Sequence, residues 1–455
     1  MFKMFHYMKE RWYYIVMIVA LLFVQAFCDL SLPDYTSKII NVGIQQKGVE
    51  DGVPETIREE SMDKLLLFLE QEEAEEVLDA YKNKDGIYKL QSVTEEEREE
   101  LNQILGIPEL VVTGLSDEES EETKKIKEQM KLPKEADLFQ VFQSMPKEQL
   151  ETMTEEMKKE LEEMPDSIVT QSAVLFVEQE YEAQDIDMDK LQMEYILMSG
   201  VKMLGLAFLA MAAAIAVTFL SARVAAVLGR NLRNSIYRKV ISFSGRELNQ
   251  FSTASLITRS TNDVQQVQML FTLLFRIVLY APILGIGGVY KVFQTDASMT
   301  WILALAVVVI MLFVVLLFRI AMPKFTRLQF LIDELNLVSR EILTGVPVVR
   351  AFSREKHEEE RFEEANARLT KTNLFVNRCM TFMMPVMMLL MNGVTVLIVW
   401  NGAHAVNEGS MQVGNMMAFM QYAMQIIMAF LMITMMSIMI PRANVAAKRI
   451  NEVME

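Results

Sequence analysis

The stretch from residue 251 to residue 268 reads FSTASLITRSTNDVQQVQ, and it decides the fold more than any apolar run does. It is polar and compatible with a helix, and it lies in a basic connection between two runs apolar enough to cross a bilayer. It carries none of the residue combinations that perform chemistry. A polar connection of this kind serves best as a contact surface, so the stretch indicates a membrane protein that a partner drives.

Six runs of the chain are long and apolar enough for a bilayer-crossing helix, which needs about 20 residues. They lie near residues 12–32, 195–222, 268–294, 300–322, 374–402 and 413–440. The first run follows a charged start and could instead be a signal peptide, but its apolar core is long for one. We therefore expect six retained spans and an all-α membrane protein.

The connections between the spans set the orientation. Residues 223–267 hold seven basic and two acidic side chains, and such a bias places a connection in the cytoplasm. Alternation from there puts both termini and residues 323–373 inside and residues 45–190 outside. The connections near residues 295–299 and 403–412 are short and lie outside. Long inner connections and short outer ones predict helices that extend far into the cytoplasm.

The acidic segment, residues 45–190, differs from the rest of the chain. Residues 47–190 contain 41 acidic and 16 basic side chains, whereas the remainder contains 19 and 28. A capping box of Thr94 and Glu97 and a persistent apolar periodicity predict a small helical domain rather than disorder. The apolar stripe consists of Leu65, Leu66, Leu69, Val77 and Leu78, and further helices are expected at residues 146–163 and 187–194. The acidity fits a solvated surface or, alternatively, a gate that attracts cationic substrates.

Three short motifs carry a resemblance to a known family. The first motif, TASLITRSTNDVQQVQ at residues 253–268, resembles the first cytoplasmic loop of ABC exporters. The second motif, EILTGVPVVRAF at residues 341–352, is similar to their segment around the second coupling helix. The third motif, AAKRI at residues 446–450, resembles the stretch that leads into their nucleotide-binding domain. In the first motif the matching residues are Ala254, Thr258, Arg259, Asn262, Asp263 and Val264. The resemblance covers roughly residues 12–44 and 195–455.

The resemblance implies a six-helix ABC exporter transmembrane domain with long cytoplasmic helix extensions, in the bacterial plasma membrane. It is greatest to multidrug half-transporters that pair as heterodimers, some of which carry an extracellular insertion at the place of the acidic segment. The domains expected are residues 1–44 with the first span, the insertion at 45–190, and 191–455 with spans two to six. The residues implied to couple to an ATPase domain are Asn249, Gln250, Phe251, Ser252, Thr253, Ala254, Gly345, Val346, Pro347, Val348 and Val349.

The sequence lacks the motif that binds the phosphates of ATP. No G-x-x-x-x-G-K-[ST] phosphate loop occurs in the 455 residues, so this chain alone has no cradle for ATP phosphates. The resemblance implies that ATP and Mg are bound by a nucleotide-binding domain outside this sequence. We expect the sequence to be a fragment of a longer reading frame, with a separate ATPase subunit as the alternative. Translocase activity is then expected only when the two are joined.

Candidate residues of a substrate pathway lie within the spans. Arg276 and Arg378 either line a water-filled path and contact anionic groups, or extend to the membrane edge. Six methionines of the fifth span fall within an arc of about 140°, and methionine adapts to varied apolar ligands. The pathway candidates from the two last spans are Met384, Met388, Met420 and Met424. Helix packing is the alternative explanation for these methionines.

The sequence therefore predicts the transmembrane subunit of an ATP-driven exporter of amphipathic or hydrophobic compounds, whether drug, lipid or peptide. Its expected partners are a nucleotide-binding domain, a second half-transporter and membrane lipid, with no nucleic acid. Two alternatives belong to other classes. A secondary transporter would place Asp or Glu within its spans, and we find none well inside them. A membrane sensor would use the acidic segment to detect a ligand outside. The two cysteines and three histidines form no metal-binding pattern.

Overall fold

The computed structural model describes residues 12–116, 123–124, 127, 138–144, 166–248, 250–295 and 298–454. Six of its helices are long and apolar enough to cross a membrane, which confirms the predicted all-α membrane fold. The helix expected at residues 146–163 lies outside the described residues.

The first membrane helix is followed by the acidic segment, which contains helices and three short strands. In chain order these elements are α1 Trp12–Lys38 with a π-helical continuation Ile39–Gln45, β1 Thr56–Arg58, α2 Glu59–Leu66, α3 Gln71–Ala80, β2 Tyr81–Lys84, β3 Ile87–Leu90, α4 Glu95–Ser116, α5 Leu138–Gln143 and α6 Asp166–Ala183.

The remaining elements are helical. They are α7 Met188–Ile241, α8 Gly245–Leu248, α9 Thr253–Thr258, a π-helical turn Arg259–Asp263, α10 Val264–Leu273, a second π-helical turn Leu274–Val278, α11 Tyr280–Thr295, α12 Thr300–Ala351, α13 Glu355–Asn407 and α14 Val413–Met454. As predicted, the helix at residues 187–194 continues without a break into the second span.

Three helices are far longer than a bilayer is thick. α7, α12 and α13 contain 54, 52 and 53 residues, which is about 80 Å each at 1.5 Å per residue. A hydrocarbon core of about 30 Å covers less than half of that length. The helices therefore project well beyond it, as the long connections predict. We call the end of the bundle that carries the acidic segment the upper end, and the opposite one the lower end.

Two apolar clusters hold the bundle together. The upper core joins α1, α11, α12, α13 and α14, and its buried residues include Leu30, Leu284, Ile302, Ile398 and Tyr422. The lower core joins α1, α7, α10 and α14, and its buried residues include Leu22, Leu228, Leu232, Phe271 and Ile450. The α12–α13 hairpin belongs to the upper core, so its lower half is supported mainly by its own two helices.

The acidic segment contains a small sheet in addition to the predicted helices. Its three strands form an antiparallel sheet in the order β1-β3-β2. The two-residue turn between β2 and β3 consists of Asp85 and Gly86, with φ of 58° and 79°. This turn geometry matches the twist of paired strands and favours an Asp-Gly pair, because glycine adopts positive φ without strain.

The acidic segment has an apolar core of its own. Ile57, Leu65, Phe68, Leu105 and Val177 are among its most buried side chains. The predicted apolar stripe does not lie on one helix: Leu65 and Leu66 are in α2, Leu69 is in the turn that follows, and Val77 and Leu78 are in α3. Leu78 is 39% exposed.

The capping box at the start of α4 is confirmed. The N–H of Thr94 donates to the Glu97 carboxylate at 2.7 Å, and the N–H of Glu97 donates to the Thr94 hydroxyl at 3.3 Å. This pairing satisfies two N–H groups that have no partner within the helix.

The acidic segment contacts the upper end of the bundle. At its base the Gln192 side-chain amide of α7 donates to the carbonyl oxygen of Gly43 at 2.7 Å, which joins α7 to the π-helical end of α1. Gly409, in the turn between α13 and α14, has a φ of 72°, and a Cβ there would lie 2.5 Å from the Ile168 side chain of α6. Close approach of Gly409 to Ile168 thus joins the segment to the turn between α13 and α14.

Candidate functional site

The first candidate contact surface lies at the lower end, where the chain turns from α7 into α9. The Ser252 hydroxyl caps α9 by accepting a hydrogen bond from the N–H of Ser255 at 3.2 Å. Within that turn the Thr258 hydroxyl donates to the carbonyl oxygen of Ala254 at 2.9 Å. The predicted contact residues that are exposed here are Gln250, Ser252, Thr253 and Ala254.

Phe251 is the predicted contact residue that packs inward. Its ring stacks on Phe243, with centroids 5.9 Å apart and planes 12° apart. The Arg259 guanidinium lies 4.9 Å from the Phe251 ring centre, a contact worth about 0.5–1 kcal/mol. Phe251 therefore anchors the surface, and its polar neighbours are the groups available to a partner. Asn249 lies outside the described residues.

Arg259 joins this surface to the end of the last helix. Its Nη1 donates to the carbonyl oxygen of Arg449 at 2.6 Å, and its Nη2 lies 2.9 Å from the Glu452 carboxylate. The Nε also donates to the Ser255 hydroxyl at 3.2 Å. The side chain is only 11% exposed, so these interactions are less screened by solvent than surface pairs are.

In a second ion pair the anion belongs to the turn at residues 259–263 and the cation belongs to α14. The buried Oδ2 of Asp263 lies 3.4 Å from the Nε of Arg449, close enough for charge attraction although the geometry is not that of a hydrogen bond. Each of the two segments thus contributes one cation and one anion. We call Arg259, Asp263, Arg449 and Glu452 the lower joint.

Sequence analysis identified three members of the lower joint but not their pairing. Arg259 and Asp263 were assigned to one motif and Arg449 to another, and Glu452 was missed. A signal for all four exists in the sequence, because opposite charges stand four residues apart in one segment and three apart in the other. Such spacings put both charges on one face of a helix.

The second candidate contact surface is the lower tip of the α12–α13 hairpin. Residues 345–349 form the last turns of α12, and Ser353, with a φ of 51°, reverses the chain into α13. Leu343 and Phe352 are each 75% exposed, and Val348 is 60% exposed. Apolar side chains exposed together mark an interaction site. Of the predicted residues, Pro347 and Val348 are exposed, and Gly345, Val346 and Val349 are half-buried.

A groove of 670 Å³ lies beside this tip, between α12 and α13. Its lining combines apolar side chains, among them Ile342, Val346 and Phe362, with the carboxylates of Glu355, Glu358, Glu359 and Glu363. Charge complementarity favours a basic and partly apolar partner segment at such a groove.

Two ion pairs fix the register of the hairpin, one at the level of the groove and one above it. Arg361 lies 2.5 Å from Glu341, and Arg368 lies 2.7 Å from Glu334. Both pairs are half-exposed, so each adds at most about 1 kcal/mol to stability. Their main effect is to set which residues of α12 and α13 stand opposite one another.

The arginines proposed for the substrate pathway are both exposed. Arg276 lies in the π-helical turn of residues 274–278. Arg378 lines a groove of 550 Å³ on α13 together with polar neighbours such as Asn377 and Thr381. Neither arginine has an acidic partner within the described part of the chain. The structure does not bring the two side chains into one site.

The methionines proposed for the pathway are divided between packing and exposure. Met387 is buried in the upper core, whereas Met384 and Met388, on the same methionine face, are 54% and 62% exposed. On α14, Met420 packs against the upper core and Met424 is half-buried. Some of these methionines therefore contribute to helix packing, which was the alternative explanation for them.

The expectation that no acidic residue lies well inside a span was wrong. Asp29, in α1, accepts a hydrogen bond from the Tyr280 hydroxyl at 2.5 Å. Asp34 pairs with Lys291 at 2.6 Å and also accepts a hydrogen bond from Tyr422. Both carboxylates sit at the packed interfaces of α1 with α11 and α14, which is where such groups are least costly within a membrane.

A polar row continues this interface towards the upper end. The Ser37 hydroxyl donates to the Asn415 side chain at 2.7 Å, and the Asn41 amide donates to the same oxygen at 3.1 Å. The N–H of Gly414 donates to Asn41 at 2.7 Å. Side-chain amides and hydroxyls that bond across helices in this way fix the partner and register of α1.

The fold and its lower joint define a class: polytopic membrane domains in which the connection at the lower end is tied to the end of the last helix. The comparisons give the family. Residues 174–430 match the model of the ABC transporter transmembrane region. The chain belongs to this family.

Relatives agree with the family assignment. An ABC transporter ATP-binding protein of Mycobacterium tuberculosis is 39% identical over 255 residues, 56% of this chain and 44% of that protein. One from Bacillus subtilis is 33% identical over 266 residues, 58% of this chain and 46% of that protein. An ATP-dependent lipid A-core flippase of Syntrophus aciditrophicus is 27% identical over 215 residues, 46% and 34% of the two chains. The chain thus spans less than half the length of these relatives.

Proposed function

We propose that this chain is the membrane-embedded half of an ATP-driven exporter of amphipathic or hydrophobic compounds. A nucleotide-binding domain, which would hold ATP and Mg, supplies the energy, and a second half-transporter, preferably a different one, completes the pathway. The observation that carries the proposal is the lower joint, because it ties an exposed contact surface to the helix that ends the chain's membrane fold.

The lower joint gives the proposal a mechanical basis. A nucleotide-binding domain that contacts Ser252, Thr253 and Ala254 would press on α9, which Arg259 links to α14 through Glu452. Because Arg259 and Asp263 are buried and each faces an opposite charge on α14, the first surface and the last helix would move as a unit. Movement of the docked domain is thereby passed to two membrane helices together.

The second contact surface acts on a different part of the bundle. Val348 and Phe352 project from the tip of the α12–α13 hairpin, whose lower half is bound mainly to itself through Glu341–Arg361 and Glu334–Arg368. Pressure at this tip would move the hairpin as a rigid rod against the remaining helices. Relative movement of two rigid bodies around a fixed site is the common basis of alternating access.

The orientation follows from the basic lower end. We infer that both termini and the lower ends of the helices lie in the cytoplasm and that the acidic segment lies outside. The names of the two most similar relatives mentioned above, both ATP-binding proteins, support an ATPase partner. The name of the lipid A-core flippase supports a lipid-like substrate as one member of the proposed class.

Secondary transport is the alternative function, because Asp29 and Asp34 place carboxylates within a span. Asp34 is neutralised by Lys291, however, and Asp29 is hydrogen-bonded to Tyr280. In both cases the carboxylate ties α1 to its neighbours, as a structural contact does. Membership of the ABC transporter family favours the ATP-driven reading.

The test begins with the coding sequence beyond Glu455 and the neighbouring frames. A phosphate-loop ATPase found there is expressed with this chain and reconstituted into vesicles. ATP hydrolysis is measured together with ATP-dependent transfer of a fluorescent NBD-labelled phospholipid and of an amphipathic dye between leaflets or across the membrane. The exporter proposal fails if no phosphate-loop ATPase is encoded, or if hydrolysis drives no transfer of either probe.

A variant of the joint tests the coupling. Arg259→Gln removes the pair with Glu452 and should lower transport per ATP hydrolysed about 2- to 30-fold, the range of a coupling change of about 0.5–2 kcal/mol. Arg238→Gln is the matched control, since Arg238 is an exposed arginine of α7 outside the joint. An equal fall of hydrolysis and transport in the Arg259 variant, or the same loss in the control, would contradict the mechanical role of the joint.

A further inference from the structure

A band of exposed basic side chains lies part of the way down the α12–α13 hairpin. It consists of Arg319, Lys324 and Arg327 on α12 and Lys371 and Arg378 on α13, all of them exposed. We call these residues the basic belt. They belong to neither contact surface and not to the lower joint.

The two helices bring the belt residues to similar depths. The ion pairs of the hairpin and the contact of the Lys324 ammonium with the Phe375 ring, at 5.6 Å, give one continuous antiparallel register. In that register, Arg378 stands opposite the chain just before Lys324, and Arg319 stands about one helical turn higher. The belt is therefore a band on one hairpin and not a scatter of unrelated charges.

The depth of the belt corresponds to one edge of a bilayer. Trp301 and Trp400, 52% and 68% exposed, stand near the upper ends of α12 and α13, where tryptophan favours the membrane–water interface. Arg319 is 18 residues below Trp301, and Arg378 is 22 residues below Trp400. These separations are about 27 and 33 Å along a helix, close to the hydrocarbon thickness of about 30 Å.

The surface immediately above the belt is apolar and the belt itself lacks internal acidic partners. Leu312, Leu316, Phe382 and Leu389 are between 55% and 71% exposed. α12 has no acidic residue before Asp333, and α13 has none after Glu364. Within the described residues, both belt arginines nearest the bilayer edge, Arg319 and Arg378, have no acidic partner. The charges of Arg319 and Arg378 are therefore available to an anionic ligand that lies directly below an apolar layer.

The side chains around Arg378 favour a phosphate. The groove of 550 Å³ beside it is lined by the polar residues Thr370, Asn373, Asn377 and Thr381 and by the apolar side chains of Leu374 and Phe382. Guanidinium groups bind phosphate oxygens through paired N–H donors. Neutral amide and hydroxyl groups next to the guanidinium can donate to the remaining oxygens of a headgroup. Clusters of basic residues next to the cytoplasmic end of a membrane helix recognise anionic lipids.

We propose that the basic belt binds the phosphate headgroups of anionic phospholipids in the cytoplasmic leaflet, with Arg378 and its groove as the principal contact. The proposal rests on the cytoplasmic orientation of the lower end but not on what is transported. Bound lipid would hold the hairpin at a fixed depth, and the part of the hairpin below the belt would then move relative to a membrane-anchored point.

The test uses the full chain, with its ATPase partner where one is encoded, in phosphatidylcholine vesicles that contain trace spin-labelled lipid. Electron paramagnetic resonance measures the association of labelled phosphatidylglycerol with the protein relative to labelled phosphatidylcholine. The wild type should prefer phosphatidylglycerol. Arg319→Gln with Arg378→Gln should lower that preference by up to about fivefold for each arginine, the equivalent of about 1 kcal/mol per basic residue.

Two further variants keep the result interpretable. Arg319→Lys with Arg378→Lys retains the charge and should retain most of the preference, which shows that the substitutions leave the hairpin folded. Arg354→Gln with Lys356→Gln removes two exposed charges at the lower tip, far from the membrane edge, and should leave the preference unchanged.

Three outcomes would overturn the proposal. The preference could be absent in the wild type or unchanged in the belt glutamine variant. It could fall equally in the tip control, which would mean that net charge alone is responsible. Finally, the belt variant could abolish ATP-driven transfer of an anionic lipid while the static preference stays the same, which would assign the belt to the transported substrate. Absence of ATP-driven transfer of both probes in the wild type would instead count against the exporter function.

Discussion

Replacement of Glu109 by methionine is expected to stabilise the acidic segment at neutral pH. Glu109 lies on α4 and is fully buried, and neither carboxylate oxygen has a hydrogen-bond partner within the described residues. A Cβ at Gly52 would lie 2.7 Å from its Oε2, so the backbone packs directly against the carboxyl group. Methionine has a similar length and no group that needs a hydrogen bond.

The magnitude follows from the two unsatisfied oxygens. A buried polar group without a partner costs about 1–3 kcal/mol, and methionine removes that cost while it keeps most of the packed volume. The free energy of unfolding of the acidic segment should therefore rise by about 1–3 kcal/mol at a pH where the carboxyl group is protonated in both the folded and the unfolded state, and by more at neutral pH, where only the folded state holds the proton.

The effect should depend on pH with a definite sign. Burial, and next the negative charge of Asp51, raise the pKa of Glu109 well above its ordinary value. Above the ordinary pKa of an unfolded glutamate the unfolded chain has lost this proton and the folded chain still holds it. Stability then falls as pH rises, by up to about 1.4 kcal/mol per pH unit, until the folded carboxyl group also ionises. Below the ordinary pKa both states hold the proton, so Glu109 adds no pH dependence to the stability there.

Hydrogen exchange of peptides from α4 in the purified full chain measures this, after correction for the intrinsic exchange rate at each pH. Glu100→Met on the same helix is the control, because Glu100 is exposed and the substitution removes the same charge. The reasoning is refuted if Glu109→Met increases exchange, or if the variant keeps the pH-dependent loss of protection of the wild type.

Two other substitutions test separate contacts. Burial alone would raise the pKa of Glu180, but hydrogen bonds from Arg58 and its neighbours outweigh it and lower the pKa. Glu180→Gln should therefore lower the free energy of unfolding by about 1.5–3 kcal/mol at neutral pH. The loss should become smaller as pH falls through the folded pKa, and hydrogen exchange at β1 measures it. A Cβ at Gly414 would collide with Asn41, whereas one at Gly393 meets open space. Gly414→Ala should cost about 1–3 kcal/mol and lower the melting temperature in detergent, and an equal loss for Gly393→Ala would contradict the steric reason.

The six spans could be predicted from sequence because their determinant is local composition. A bilayer requires about 20 apolar residues irrespective of what packs against them, so every predicted run lies in an observed spanning helix. The Thr94–Glu97 capping box was also predictable, since the donor and acceptor lie three residues apart. Neither prediction needed knowledge of distant contacts.

The hairpin of the acidic segment was missed although Asp85-Gly86 is a strong local turn signal. Its strands are four residues each and rich in lysine, so their own strand propensity is weak, and the glutamate-rich surroundings favoured helix. The pairing of Arg259 with Glu452 could not be read from sequence for another reason. The two residues are far apart in the chain, and only the packing of α9 and α10 against α14 brings them together.

The length of α12 amplifies small rotations. The lowest residue of this helix that packs into the upper core is Val314, and the helix ends 37 residues further on at Ala351, about 56 Å away at 1.5 Å per residue. A tilt of about 5° at that pivot displaces the far end by about 5 Å, close to one helical turn. The converse also holds: a partner that shifts the tip by one turn needs only a few degrees of repacking around Val314. Most side-chain contacts of the upper core can therefore survive each cycle.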